Sequence, residues 1–187
     1  MNDDEFSQPD PMDDDTESEV DAFLRELQRD RQEQGGLEPL IETVGEALEE
    51  DGYSFTLNPE GSGLNLSIHG THAVYTVFFF PNEESRVLRG YVRCPFLVPA
   101  ELRGPMAEAL TRANYGLPLG NFEMDMSDGE VRFKTSVDVE GGRLVPLMVR
   151  NMLGASMSVC DRYYPAFMRV MHAGDEPADA IARVEQW

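Results

Sequence analysis

Between Arg112 and Val139 the chain carries two runs in which apolar and polar side chains alternate. Leu119, Phe122, Met124 and Met126 mark the first run, and Val131, Phe133, Val137 and Val139 mark the second. Ser127-Asp128-Gly129 separates them. Asp caps a turn there, and Gly takes positive φ without steric cost. This pattern predicts an antiparallel hairpin with one face on a core and the other in water. A helix is predicted over Leu102–Ala113, ending before Gly116 and Pro118, so that a helix delivers the hairpin.

The rest of the chain extends this arrangement. Residues 1–15 are acidic, contain Pro9 and Pro11, and have little to bury, which predicts a disordered acidic tail. Thr16-Glu17-Ser18-Glu19 has the form of a capping box. Val20, Phe23, Leu24 and Leu27 follow at helical spacing, so residues 16–36 read as an amphipathic helical arm ended by Gly35-Gly36. Such an arm either packs on its own domain, the commoner outcome, or docks into a partner's groove. A second helix is predicted over Leu37–Glu50, with Leu40, Ile41, Val44, Ala47 and Leu48 on one face. Strands are predicted at Tyr53–Leu57, Leu64–Ile68, Ala73–Phe80 and Val87–Val98. Pro95 and Pro99 place the far end of the last of these at an edge. After the hairpin, Pro146 opens a long helix with Leu147, Met148, Met152, Ala155, Val159 and Tyr163 in its apolar stripe. Pro165 is expected to kink or restart that helix. Gly174 closes it, and residues 175–187 form a short C-terminal helix or tail. This order predicts an α+β fold, an antiparallel sheet with helices packed on one face.

Charge narrows the class of partner. The chain of 187 residues has 35 acidic and 15 basic residues, a net charge of −20. Residues 1–35 alone hold 13 acids and 3 bases. Phosphate backbones are bound by Lys and Arg displacing counterions, so direct nucleic-acid binding is not expected. A basic protein partner is, because opposite fields steer encounter. Cys94 and Cys160 lack a CxxC partner and suit a reducing cytoplasm. Asp3, Asp4 and Glu5 stand where a secretory signal would be positive, and no apolar run is long enough to span a bilayer.

Chemical motifs are scarce. His69 and His72 flank a turn, but no ligand set at zinc spacing accompanies them. Asp125, Asp128 and Glu130 lack the spacing and closing bidentate Glu of a calcium loop. Gly61-Ser62-Gly63 is not followed by the Lys of a phosphate loop. Neither metal, cofactor nor catalytic residue is predicted, and nothing argues for an enzyme. Two features point to interaction instead. Met148, Met152, Met157, Met168 and Met171 line the last long helix, either as core filler or as an adaptable surface. Alternation also sends Phe78 and Phe80 to one face of their strand, and Tyr75, Val77 and Phe79 to the other. Helices on one side cover only one of these faces; a second copy or a bound peptide would close the other. Tyr75, Val77, Phe79, Tyr91, Met106, Leu110, Met124 and Met126 are the candidates for partner or dimer contact.

Arg112-Ala113-Asn114-Tyr115, then Leu117-Pro118-Leu119-Gly120-Asn121-Phe122-Glu123 and Asp128-Gly129-Glu130-Val131-Arg132-Phe133, resemble the YbjN family. So does Asp161-Arg162-Tyr163-Tyr164-Pro165-Ala166. The resemblance covers roughly Leu37 to Ala180, most clearly from Arg112 onward, and residues 37–174 are expected to form one α+β domain. It implies an α-β-β-β-α-β-β-α core like that of the type III secretion chaperones, which are small acidic cytoplasmic dimers that hold a partner's extended segment. It also implies a role in sensory transduction regulation. Asn114, Gly120, Phe122, Gly129, Tyr164 and Pro165 are then structural motif residues. Asn114 is expected to cap the helix end in the left-handed conformation. Gly120 and Gly129 would relieve crowding at a bulge and a turn, and Tyr163 and Tyr164 would anchor the helix on the sheet. Together these readings predict a non-enzymatic, homodimeric, cytoplasmic protein-binding module with a chaperone-like or adaptor role. Its expected client is a basic protein, including one that itself binds nucleic acid. The alternative is a small-ligand sensor domain.

Overall fold

Alternation in the strands and one long apolar helix together decide the layering. The computed structural model describes residues 38–186 and, ahead of them, Ala22 alone, which is helical. The expected acidic tail and the rest of the helical arm lie outside the described residues. Helix α1 spans Leu40–Glu50, followed by strands β1 (Thr56–Leu57), β2 (Leu64–His69), β3 (Val74–Asn82) and β4 (Val87–Leu97). A single 3₁₀ turn at Ala100–Leu102 leads into α2 (Arg103–Asn114), then β5 (Asn121–Met124) and β6 (Glu130–Asp138). Helices α3 (Pro146–His172) and α4 (Pro177–Glu185) follow. The six strands form one antiparallel sheet in the order β1-β2-β3-β4-β6-β5. This is the expected α+β fold.

The helices cover a single face. Leu64, Leu66 and Ile68 of β2, Tyr75, Val77 and Phe79 of β3, Leu88, Val92 and Cys94 of β4, and Val131 and Phe133 of β6 are buried in one core. Leu40, Val44 and Leu48 from α1 join them, with Met106 and Leu110 from α2 and Met157, Tyr163 and Phe167 from α3. Met152 and Met157 are therefore core filler. Helix α3 runs unbroken through Pro165, so the expected restart does not occur. The proline removes only the donor that would reach the Asp161 carbonyl, one turn back.

Asp161 shows how α3 holds the sheet. Its carboxylate accepts the backbone N–H groups of Thr71 and His72, each at 2.9 Å, and the Tyr75 hydroxyl at 3.1 Å. The β2–β3 turn is thus bracketed by a side chain about 90 residues away in sequence. Gly70 has no room for a Cβ, which would stand against the Asp161 carboxylate and the Tyr75 ring. Burial, and then the adjoining Asp161 charge, push the Tyr75 phenol well above its ordinary pKa.

Two strands differ from expectation. Tyr53 and Phe55 do not extend β1, which has two residues; Phe55 is buried as a plug, and Asn58 closes the turn by accepting the Ser62 and Gly63 amides. A short edge strand offers little unpaired backbone to another sheet. Strand β4 is central, but its pairing with β3 ends at Arg93, and its register with β6 shifts between Arg93 and Leu97. Pro95 sits in that irregularity, where no ladder donor is required.

Candidate functional site

The wet face of the sheet follows from the charges of β4. Arg89, Tyr91 and Arg93 alternate with Leu88, Gly90, Val92 and Cys94, so once the apolar set enters the core, Tyr91 shares the outer face with two arginines. Antiparallel register then fixes its neighbours. Phe78 pairs with Tyr91, and Tyr91 with Lys134; Thr76 pairs with Arg93, and Arg93 with Arg132. Glu123 of β5 completes the second row opposite Arg132.

These rows form a lattice of rings and guanidinium groups. Phe78 and Phe80 stack at 6.1 Å between centroids, and Phe80 meets Tyr91 edge-on at 5.9 Å. Arg93 lies 5.4 Å above the Phe78 ring and Arg132 lies 4.4 Å above Tyr91. Such contacts contribute about 0.5–1 kcal/mol each at exposed sites. Arg132 is held by Glu123 at 2.5 Å, and Glu130 stands 3.7 Å from Arg93 and 3.9 Å from Arg132. Both arginine side chains keep over 40% of their surface in solvent, so each guanidinium retains donors for a further acceptor. On strands β4, β5 and β6 this face carries Arg89, Arg93, Arg132 and Lys134 against Glu123, Glu130 and Asp138. Four cations and three carboxylates give +1, in a chain whose net charge is −20.

Shape agrees with a docking surface. A shallow depression of about 170 Å³ lies between Phe78, Phe80, Tyr91, Arg93, Glu130 and Arg132. A second, of about 260 Å³, lies beside it over Glu123, Met124, Asp125, Glu130 and Arg132. Each would take a side chain, whereas small-molecule sites enclose about 300–1,000 Å³. At the rim, Asp125 accepts the Ser127 hydroxyl at 2.6 Å and its amide at 2.7 Å, which holds that carboxyl below its usual pKa. Among the described residues no group of three or more metal-ligating side chains comes together.

The sequence-predicted contact residues divide between the two faces. Tyr91 is on the open face, Met126 is exposed at the hairpin turn, and Met124 is half-buried against the core. Tyr75, Val77 and Phe79 are at most 1% exposed, and Met106 and Leu110 are buried between α2 and the sheet. For these five the expectation is corrected: the chain's own helices cover them, and on β3 the outer face belongs to Phe78 and Phe80. Alternation puts Phe78 and Phe80 on one face together but does not make them contact candidates, and Arg93 and Arg132 are not among those candidates either. The signal that finds them is the Arg-Gly-Tyr-Val-Arg alternation of β4 combined with the strand register.

The motif residues have concrete duties. Asn114 does not take the left-handed conformation; that falls to Gly116, at φ +86°. Asn114 instead fastens β5, accepting the Phe122 amide at 2.6 Å and donating to the Phe122 carbonyl at 3.0 Å. It thereby acts as a substitute strand partner. Gly129, at φ +86°, passes so close to Val98 that a Cβ would collide with its carbonyl oxygen. Gly120, at φ +71°, is hemmed in by the Phe133 ring and the Lys134 carbonyl, where a Cβ would also collide. Tyr164 packs edge-on to Tyr75 at 6.2 Å and leans on Phe96 at 6.0 Å, one turn after Asp161.

Residues 40–169 match the YbjN family profile, described as "Putative bacterial sensory transduction regulator". The chain belongs to the YbjN family. The crystal structure of "YbjN, a putative transcription regulator from E. coli" shares its fold, with a TM-score of 0.53 at 16% identity, covering 67% of this chain and 92% of that one. The Yersinia pestis type III secretion chaperone SycH, solved in complex with a stable fragment of YscM2, aligns at a TM-score of 0.40 and 14% identity, over 62% of this chain and 91% of that one. No curated protein matches the chain at a significant level. Among the described residues of this YbjN domain, no helix is long and apolar enough to cross a membrane.

Proposed function

We propose that this YbjN-family chain is a non-enzymatic protein-binding module with an adaptor or chaperone-like role in regulation, and that the open sheet face is where it holds a partner's extended segment. The observation that carries the reading is the triad Phe78, Phe80 and Tyr91, half-buried rings on the face opposite the helices of the described residues, set between arginines with donors to spare. Rings on a strand face accept alternate side chains of an extended peptide, and forked guanidinium groups fix its carboxylates or carbonyls.

Net charge and local charge act at different ranges. A field set by −20 charges steers a basic protein towards the module from a distance, while the groups at the face decide what seats there. A basic client in the cytoplasm, carrying a segment with aromatic and acidic side chains, fits both requirements. A second copy of the chain, in a homodimer, is the alternative occupant of the same face.

The test compares the wild-type chain with a Phe80→Asp, Tyr91→Asp double variant. Both changes lie on the open face and are expected to leave the fold intact, which circular dichroism checks. The wild type is expected to retain a basic protein on a column at moderate salt, and the variant to lose it. Retention of the same proteins by both would remove the open face from the proposal, and a wild type retaining only acidic proteins would remove the basic client.

A further inference from the structure

Resting on that reading of the open face, we infer a regulatory occupant: the acidic segment of this chain, residues 1–21, docks in cis on the cation–aromatic lattice and competes with the partner for it. Three observations converge. The first is charge. Residues 1–21 contain ten carboxylates, at Asp3, Asp4, Glu5, Asp10, Asp13, Asp14, Asp15, Glu17, Glu19 and Asp21, and no Lys or Arg. On strands β4, β5 and β6 the open face carries four cations against three carboxylates, and Arg93 and Arg132 keep exposed guanidinium groups. Forked hydrogen bonds to carboxylates are the strongest contacts those groups make.

The second is where the described chain begins. Arg86 donates to the Glu38 carbonyl at 3.0 Å and Glu83 accepts the Ile41 amide at 3.2 Å, so the chain enters the domain at the β3–β4 hairpin. Phe80 and Arg89 pair with each other three residues back along the same two strands, about 10 Å away at the rise of a strand. The third is length. The 16 residues between Asp21 and Glu38 span about 25 Å even if wholly helical, and about twice that when extended. The acidic segment therefore reaches the lattice from its tether in either form. Phe6, within the segment, adds a ring for the depression beside Phe78 and Tyr91.

Tethering makes the contact effectively concentrated, so carboxylate–guanidinium pairs that are weak between separate molecules become occupied within one. Salt weakens them, because the groups are exposed and the screening length falls to about 3 Å in 1 M salt.

The experiment uses the full-length chain with Met12→benzoylphenylalanine as a photo-crosslinker, read by mass spectrometry of the monomeric product. Crosslinks are expected on peptides of β3, β4 and β6 at low salt. They should fall several-fold in about 1 M salt and in an Arg93→Glu, Arg132→Glu background. Crosslinks on the helices, crosslinks indifferent to salt and charge reversal, or crosslinks between two chains would overturn the intramolecular contact. A second arm adds a synthetic peptide of residues 1–21 in trans. The full chain with its ten N-terminal carboxylates converted to amides is expected to bind the peptide at least about tenfold more tightly than the wild type, whose face is already occupied. Equal binding, or none, sinks the inference. If the peptide fails to bind while Phe80→Asp, Tyr91→Asp still abolishes client retention, the segment is excluded and the binding module stands. If the peptide binds but no client depends on the face, the docking stands and the module reading falls.

Discussion

On the covered side of the sheet Phe122 meets Phe133 at 4.9 Å and Phe167 at 5.0 Å, with Tyr163 at 5.8 Å. On the open side Phe80 lies 6.1 Å from Phe78 and 5.9 Å from Tyr91. Both clusters are aromatic, but the open one sits on the central strands β3 and β4, whereas the covered one joins β6 and the edge strand β5 to helix α3. What separates them is the next shell of neighbours. The covered rings touch an apolar helix, and Phe133 and Phe167 have no measurable exposure. On the open side the guanidinium groups of Arg93 and Arg132 lie over Phe78 and Tyr91 and stay partly in solvent. The same side-chain chemistry thus supplies stability on one face and, on the proposed function, a docking surface on the other, according to whether a helix or an arginine lies above it.

The sharpest way to break this contrast is to truncate one ring on each side. Phe167→Ala removes the ring that packs against Phe122, Tyr163 and Phe96, and it is expected to cost about 3–5 kcal/mol. At about 2–4 °C per kcal/mol for a chain of this size, the melting temperature should fall by roughly 10 °C. Phe80→Ala on the open side should cost about 1 kcal/mol or less. Equal losses in a thermal melt would mean that the open rings are also core and that the two faces do not differ in kind.

Asp161→Ala tests the device that keeps the covered face closed, with a somewhat smaller expected effect. Three donors, the Thr71 and His72 amides and the Tyr75 hydroxyl, lose their acceptor together. Unsatisfied donors at a partly buried turn cost about 1–3 kcal/mol each before water re-enters, so a net loss of about 2–4 kcal/mol is expected from urea titration. Hydrogen exchange should accelerate at the β2–β3 turn and leave the β5–β6 hairpin unchanged. Uniform acceleration would show that Asp161 supports the whole sheet instead of one turn.

How much of this was legible in the sequence depended on whether a decision was local. The hairpin, its glycine turn and the order of elements follow from period and turn chemistry within a few residues, and all appear. Which face the helices cover was not local. Phe78 and Phe80 are as apolar as Tyr75, Val77 and Phe79, so β3 alone is silent about its orientation; β4, with Arg89 and Arg93 flanking Tyr91, carries the information one strand away. Asp161 reaches a turn about 90 residues distant, and no spacing rule within α3 announces that contact. Asn114 was misjudged for a related reason. A residue at a helix end suggests a cap, yet its amide group faces the edge strand that returns eight residues later.

Alkaline titration gives the smallest effect and separates the faces by their phenols. On the covered face Tyr163 donates to Glu185 at 2.7 Å, and burial, followed by that hydrogen bond, raises its pKa to about 12. Tyr75 is raised as well, by burial and then by Asp161. A folded-state pKa above the unfolded value of about 10 means that the neutral phenol is favoured by folding. The associated stability is complete below about pH 10 and is lost as the pH climbs through about 12. Denaturation midpoints measured from pH 9 to 12 should therefore decline, and Tyr163→Phe should decline less steeply from a start lowered by about 0.5–1.5 kcal/mol for the lost hydrogen bond. If Tyr163→Phe matched the wild type in slope, the link between α3 and α4 through Glu185 would contribute nothing to closing the covered face, and the alkaline loss would belong to Tyr75 and the Asp161 bracket alone.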